Sequence, residues 1–460
     1  MPPDPVLEIA KITRETPFEN DLYLVGGAVR DPLLGLQAGE DFDLVTTGDA
    51  IALADLIWKS GLSTIAPVTY PRFGTAMVRV QGADVELVSA RAESYDPSSR
   101  KPEVRRATLL DDALRRDFTV NSLMIRIHDG TLLDLLGSGR EDLKNGILRT
   151  PRDPDETFID DPLRMLRAVR FRWKLGFTPA PNLWESISKN RHRLGIISFE
   201  RIRDELVKML LHPSAPDALN DLMQLGLMEM IAPEFLPMVG CEQGKWHHLD
   251  VWDHTLLVLK NLPPSAGLEL RLGALFHDVA KPPTRIVDDR GDVRFFGHET
   301  VGATMTTEIL TRWKFPTATN DRVAALVRGH MRLGSMDKFT SSAARRLVRD
   351  FDADLPLLLD LVEADASALR PGVRMLDLSP IRQQIEQVAI ATPAAAIQAP
   401  LSGGQIMALL NIPAGKVVGA VKRDLEELII TGELTPGDSD AATAWLQQNA
   451  HRYQTAVGNA

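Results

Sequence analysis

The chain has 460 residues, 44% of them hydrophobic and 25% charged, with a formal net charge of −10. That is an ordinary soluble composition with room for about three domains, and a nucleic-acid binder of this charge must gather its cations locally. A single cysteine, Cys241, rules out a disulfide within the chain and points to a reducing, cytoplasmic home with an inert thiol. No run of about 18 apolar residues offers a membrane span, and the N-terminus lacks the basic-then-apolar order of a signal peptide.

The first 150 residues read as α/β. Strand-like runs rich in β-branched residues occur at Val25, Leu44–Val45, Ala76–Val80 and Val85–Val88, with helices expected over 28–36 and 49–60. The first run opens LYLVGGAVRDPLLG, residues 22–35, an apolar strand followed by Gly26 and Gly27 and then a helix start. Glycines after a strand let the backbone approach a phosphate, and the helix N-terminus adds partial positive charge. The next run, GEDFDLV, carries Asp41 and Asp43 two apart, hence on one face of a strand. Taken singly, a Gly-Gly turn is a tight turn and D-x-D is a solvated face. Together they suit Mg²⁺, which takes carboxylates plus substrate phosphate oxygens, in two-metal phosphoryl chemistry. Glu86, on a neighbouring strand, is a third acidic candidate.

Residues 91–106 are polar, Pro- and Ser-bearing and without period, which predicts a mobile loop. RRDFTVN then sets Arg115 and Arg116, whose forks suit triphosphate oxygens, beside Asp117 and Asn121. Past residue 150 the strand signal ends and helices are expected over 161–175, 199–211, 214–227, 253–260, 267–279, 299–313, 319–330, 341–350, 355–368, 403–411 and 415–430. In DDPLRMLRAVRFRWK, five cations (Arg164, Arg167, Arg170, Arg172, Lys174) follow Asp161 with no further acid. Part of that surface is expected to meet phosphate. Asp161 and Arg164, three apart, are expected on one helical face, where a carboxylate beside a guanidinium reads a base edge. Pro-rich breaks at 232–237 and 391–400 mark joints.

LVGGAVRDPLLG with DFDLV resembles the head of the class II tRNA CCA-adding enzymes and bacterial poly(A) polymerases. VELVSARAESY (85–95), DDALRRDFTVNSLMI (111–125), DDPLRMLRAVRF (160–171) and ERIRDELVKML (200–210) follow in that family's order. The resemblance covers about the first 215 residues; Asp160 stands where the family usually has Glu. It implies an α/β nucleotidyltransferase head with a polymerase-β-like mixed sheet, followed by an elongated all-α body. It implies Mg²⁺ on Asp41 and Asp43, and phosphates placed by Gly26, Gly27 and Arg30. Nucleotide contacts are implied at Arg115, Asp117, Asn121, Asp161, Arg164, Arg167 and Arg170, with Arg172 and Lys174 on RNA. Asp117 and Asn121 would bond the ribose, and the Asp161–Arg164 pair would choose C or A. In the family, a flexible loop at 91–106 serves the switch from C to A addition.

In the second half, VWDHTLLVL, ALFHDVAK, FFGHET, VRGHM and EADASAL resemble the HD phosphohydrolase domain. That implies His254, His277, Asp278, His298, His330 and Asp365 as ligands of a divalent transition metal or Mg²⁺, with His298 and His330 allowing two ions. SGGQIMALLNIPAGKVVGAVKRDLEELIITGELT resembles the closing segment of HD-bearing tRNA nucleotidyltransferases. The expected division is head 1–150, neck 151–235, HD domain 236–370 and tail 371–460. The implied function is template-independent building or repair of tRNA 3′-CCA from CTP and ATP, releasing pyrophosphate. Alternatives are an A-adding enzyme, a poly(A) polymerase, or an HD phosphohydrolase with a regulatory nucleotide-binding head.

Overall fold

The computed structural model describes residues 4–37, 39, 41–94, 103–244, 247–333, 339–370 and 377–457, with the backbone alone for 91–94, 103–106 and 454–457. The chain divides into two units, Met1–Leu236 and Pro237–Ala460. Among the described residues no helix is long and apolar enough to cross a membrane.

Among the described residues the first unit holds eleven strands: β1 Tyr23–Val25, β2 Phe42–Thr46, β3 Val68–Tyr70, β4 Thr75–Val80, β5 Ala83–Ser89, β6 Arg91–Ser94, β7 Glu103–Arg106, β8 Met124–Arg126, β9 Leu132–Leu133 and the short parallel pair β10 Ile147–Leu148 and β11 Thr178–Pro179. Seven make one mixed sheet in the order β3-β4-β5-β2-β1-β8-β9. Only β2 and β5 run parallel; β1 lies antiparallel to both β2 and β8. Strand period sorts the side chains. Tyr23, Val25, Val45, Val88 and Met124 join Ala113 and Leu109 in one core layer. On the opposite face, Leu24, Leu44 and Leu87 are buried. The helix Ala50–Lys59, N-capped by the Asp49 carboxylate, buries Leu53, Ala54 and Ile57 and packs on β4 and β5. Each such Leu or Ile contributes about 1.5–3 kcal/mol of burial.

β6 and β7 pair as an antiparallel ribbon, Arg91 opposite Arg106 and Ser94 opposite Glu103. The stretch expected to be an irregular loop therefore has hairpin stems; its remainder, 95–102, lies outside the described residues. Helices Pro154–Asp160, Leu163–Leu175, Leu183–Asn190, Phe199–Leu210 and Ala215–Gln224 complete this unit. Leu163–Leu175 packs against both Phe199–Leu210 and Ala215–Gln224.

In the second unit the helices Val251–Asn261, Leu268–Phe276, His298–Arg312, Thr317–Gly329 and Leu355–Ala366 pack on one another. Two features depart from expectation. A short ribbon, Arg285–Val287 with Val293–Phe295, interrupts the helices; at three residues per strand its period is too short to read. A helix at Ser379–Ala391 also forms, though it buries only Ile385 and so shows little apolar stripe. Helices Gly403–Leu410, Lys416–Thr431, Ser439–Gln448 and Ala450–Val457 follow, the first closed by a Ser402–Gln405 capping box.

Candidate active site and a second, histidine-rich centre

β1 ends at Val25 directly opposite Asp43, near the start of β2. Gly26 turns the chain with φ 70° and ψ −137° and caps the helix Gly27–Leu33. A Cβ on Gly26 would stand 3.3 Å from Asp43 Oδ2, so only glycine combines this backbone with so close an approach to the carboxylate. Glu86 is the parallel neighbour of Asp43 on β5, on the same face, one register step beyond the apolar pair Val45 and Val88. Asp41 lies just before β2 and is exposed. The carboxylates thus sit where the core layer ends. Glu86 nonetheless does not converge with Asp41 and Asp43 into a tight three-donor cluster. Asp43 reaches solvent but is hemmed in by protein. Desolvation pushes its carboxyl up, Asp41 adds to this, and the charges of Arg116 and Arg167 oppose it. A carboxylate resisting ionisation beside a second one is the electrostatic condition a bound cation relieves.

The cations beside it are held by buried acids. Asp112, fully buried, grips Arg115 at 2.5 Å and Arg116 at 3.0 Å, and these two charges help hold its carboxyl below the ordinary range against desolvation. Asp117 Oδ1 accepts from the Phe118 N–H and Asn121 Nδ2, and Oδ2 accepts from Arg167 Nε at 2.8 Å. Burial works against ionisation there, yet Arg167 and Asn121 bring the carboxyl down to about 2. Arg30, expected to place phosphate, is only 2% exposed. Its Nε donates to Asp31, its Nη1 to Asn121 Oδ1 at 2.5 Å, and its guanidinium lies over the Phe171 ring. In this arrangement Arg30 is a strut under the turn, and any phosphate contact is left to its remaining N–H edge.

The expected Asp161–Arg164 pair is arranged differently. The helix breaks between Pro154–Asp160 and Leu163–Leu175, and Asp161 is extended at φ −137°, ψ 99°. The two residues do not share a helical face. Asp161 Oδ1 accepts from the Leu163 N–H, and Oδ2 lies 2.9 Å from Arg201 Nη2. Arg164 is buried; its Nη2 donates to the Arg115 carbonyl, while its buried Nη1 has no hydrogen-bond partner. Such a donor is costly to bury unless something arrives to accept from it.

Further along this helix, Arg170 Nε donates to buried Glu205 at 2.6 Å. Arg172 is tied to Asp221 at 2.7 Å and lies over the Trp173 and Trp184 rings. The expectation that Arg172 meets RNA is thus set against a side chain engaged in holding the helices together. Lys174 is half exposed, 3.7 Å from Asp31. Desolvation lowers its ammonium, Asp31 opposes this and Arg30 and Arg170 add to it. With Arg170 and Lys208 it borders a cavity of about 430 Å³.

In the second unit, four histidines and two aspartates meet in the interior. His254 Nε2 lies 3.0 Å from Asp365 Oδ1 and 3.4 Å from His277 Nε2. His298 Nε2 lies 3.3 Å from His330 Nε2. Between the two pairs stands Asp278, Oδ2 toward His277 at 3.0 Å and Oδ1 toward His298 at 3.5 Å. The Nδ1 atoms of His277, His298 and His330 each face the carbonyl three residues back, of Ala274, Phe295 and Val327, at 2.8, 2.8 and 2.6 Å. That places the proton on Nδ1 and turns the Nε2 lone pairs inward, the tautomer a metal requires. Two inward lone pairs 3.3 Å apart repel unless a cation lies between them. Both Asp278 oxygens are buried; Oδ2 is ion-paired with Lys281 Nζ at 2.7 Å, and Oδ1 faces His298 and His330, at 3.5 and 3.8 Å. Desolvation opposes ionisation of Asp278, yet His277 and Lys281 hold its carboxyl well below the ordinary range. Burial, with His277 nearby, lowers His330 to about 4. Among the described residues the groups of three or more metal-type donors within 4.8 Å are His254–His277–Asp278 and Asp278–His298–His330. The donor set suits divalent ions, which His254, His277 and Asp278, or Asp278, His298 and His330, would hold.

Sequence reasoning missed several partners. Glu205 and Arg201 act through contacts 35 and 40 residues away that no local pattern announces, whereas the grip of Asp112 on Arg115 and Arg116 follows the i,i+3 and i,i+4 helical spacing. His247, outside the sequence pattern, stands with its ring edge-on to His254 at 4.8 Å, and its buried Nδ1 has no hydrogen-bond partner. Gln243 Oε1 accepts from Lys281 at 2.6 Å.

Comparison with known proteins agrees with this division of labour. Residues 22–149 match the Poly A polymerase head domain, 176–238 the probable RNA- and SrmB-binding site of polymerase A, and 247–369 the HD domain. The chain is 36% identical to the A-adding tRNA nucleotidyltransferase of Deinococcus radiodurans, over 94% of this chain and 96% of that one. It is 34% identical to the CC-adding tRNA nucleotidyltransferase of Thermus thermophilus, over 93% of each. The fold is similar to that of the Bacillus stearothermophilus CCA-adding enzyme solved with CTP, with a TM-score of 0.70, 24% identity and 98% of both chains covered.

Proposed function

This chain belongs to the tRNA nucleotidyltransferase family, and we propose that it builds or repairs the 3′-CCA end of tRNA from CTP and ATP, releasing pyrophosphate, without a nucleic-acid template. The observation that carries this reading is the turn at Gly26 closed against the Asp43 carboxylate, with the charges of Arg116 and Arg167 acting on the same group.

Asp41 and Asp43 would hold Mg²⁺, which supplies triphosphate binding and a lowered pKa for the attacking 3′-hydroxyl. The chain's own groups do the placing. The Gly26–Gly27 turn lets phosphate oxygens approach the backbone, and Arg115 and Arg116, pre-aimed by Asp112, present cationic forks. Asp117 and Asn121, bonded to each other and to Arg167 and Arg30, would meet the ribose only through the lone pairs that these bonds leave. Arg164 offers the buried Nη1 to an acceptor on the base, and Asp161, held by Arg201, supplies a carboxylate edge beside it. Arg167 and Arg170 hold the nucleotide side of the helix, and Lys174, with Arg172 braced behind it, meets the RNA backbone. The division we adopt is head 1–150, neck 151–235, HD domain 236–370 and tail 371–460. The lone, buried Cys241, whose thiol desolvation pushes up, suits a cytoplasmic setting.

The test is direct. Purified protein with Mg²⁺ is given tRNA ending at the discriminator base, or in CC, with CTP, ATP or both, and products are resolved to single nucleotides. CCA on the first substrate supports full CCA addition. Only A on the second narrows the enzyme to A addition. An A ladder makes it a poly(A) polymerase, and no extension overturns the reading.

A second activity rests on a separate observation, the buried Asp278 carboxylate set amid four histidines whose Nε2 atoms all lie within 4 Å of it. We propose a metal-dependent phosphohydrolase at this centre, with His254, His277, Asp278, His298, His330 and Asp365 as ligands of a divalent transition metal or Mg²⁺. Metal analysis and assay with phosphomonoesters and 2′,3′-cyclic phosphates test it; failure of both removes it and leaves nucleotide addition standing.

A further inference from the structure

A cavity of about 910 Å³ opens over the histidine-rich centre. A lone phosphate fills a small part of that; cavities of this size take ligands with a substantial organic portion. The lining divides by chemistry. Asp278, His298, His330 and Lys281 form a polar floor, while Val293, Phe295, Phe296, Val362 and Leu369 supply apolar wall. An all-oxygen ligand such as pyrophosphate would gain nothing from the second group.

Phe296 is 70% exposed and lines this cavity, so its ring face is open to a ligand that enters it. It is also rigidly tied to the centre. Phe295 ends a ribbon strand, and its carbonyl accepts from His298 Nδ1 at 2.8 Å. Gly297, at φ 75°, then turns the chain so that His298 begins its helix pointing inward. Phe296 therefore projects from the one-residue step between two positions fixed by the ligand His298. An exposed ring that lines the same cavity as a polar floor has the layout of a stacking platform.

We propose that Phe296 is the specificity determinant of this cavity, its ring stacking on the flat heteroaromatic ring of a nucleotide phosphoester whose phosphate rests on the Asp278 floor. The proposal rests on the phosphohydrolase reading of that floor. In the reaction, water adds its oxygen to phosphorus, the ester P–O bond breaks, and a proton from that water leaves with the alcohol. Phe296 touches only the leaving side and sets affinity rather than rate.

The experiment uses the full chain loaded with Mn²⁺, its metal content measured, and three substrates: adenosine 3′-monophosphate, a short RNA ending in a 3′-phosphate, and glycerol phosphate. The wild type is expected to prefer the two base-bearing substrates over glycerol phosphate; which of the two is better separates a free nucleotide from an RNA end. Phe296→Ala is expected to raise KM for both about tenfold, leaving kcat, glycerol phosphate hydrolysis and metal content unchanged. Phe296→Trp should restore the low KM. A Phe296→Ala protein that keeps the wild-type preference, or a wild type indifferent to the base, overturns the platform while the phosphohydrolase stands. No hydrolysis of any substrate by the loaded protein overturns both.

Discussion

The two centres hold their acidic groups by opposite means. In the head, the carboxylates stand at an exposed strand end, brought into line by sheet register: Val25 opposite Asp43, Asp43 beside Glu86. In the body, the candidate ligands lie in the interior on helices and on the turns that end them, with each of three imidazoles oriented by a carbonyl one turn back. An exposed pair can admit a triphosphate and release pyrophosphate every cycle; a buried histidine cage suits an ion that stays. The contrast teaches that cofactor residence follows from burial as much as from ligand type.

The sharpest way to break the comparison is to remove one acid from each centre. Asp43→Ala is expected to lower nucleotide addition by at least about 10³-fold with tRNA binding retained, measured by single-turnover extension and filter binding. Asp278→Ala should do the reverse: it strips bound divalent metal from the body, measured by elemental analysis, and leaves CCA addition within about twofold of wild type. If either substitution crosses over, the centres are not independent.

A smaller effect is expected at the turn. Gly26→Ala places a Cβ at φ 70° and 3.3 Å from Asp43 Oδ2. A positive φ with ψ −137° lies outside the left-handed helical well and costs a residue with a Cβ about 1–3 kcal/mol, so a fall in Tm should accompany slower addition. The mildest test concerns Asp117. Its carboxyl is lowered to about 2 in the fold, against about 3.9 unfolded. The pH-dependent part of the stability that this carboxylate contributes, set by Arg167 and the Asn121 hydrogen bond against desolvation, is on the order of 2.5 kcal/mol. It is complete above about pH 4, is lost only as pH falls through 4 toward 2, and leaves activity near neutral pH as the least sensitive readout. Asp117→Asn should flatten acid unfolding over that window and change little at pH 7 beyond the loss of the pair itself.

Much of both sites was legible because the chemistry is written in short spacings. Asp41 and Asp43 two apart on an apolar run, and His277 next to Asp278, fall together in any fold that keeps the local element. Contacts across long separations were not legible. Arg30 looks like a surface helix cation, but its partner Asn121 lies 91 residues on. Asp161 and Arg164 look like helical neighbours, yet Asp161 precedes Pro162, and a residue before proline is pushed out of the helical region. That signal was present in the sequence and outweighs the i,i+3 spacing. The hairpin stems at 91–94 and 103–106 gave no alternation of apolar and polar residues to find.

The most direct measurement of the central claim is extension of tRNA lacking its CCA end by the purified protein with Mg²⁺, CTP and ATP, read at single-nucleotide resolution beside Asp43→Ala. Addition of C, C and A in that order by the wild type and none by the variant is the expected result. Extension that survives in Asp43→Ala, or a wild type that adds nothing, would contradict it.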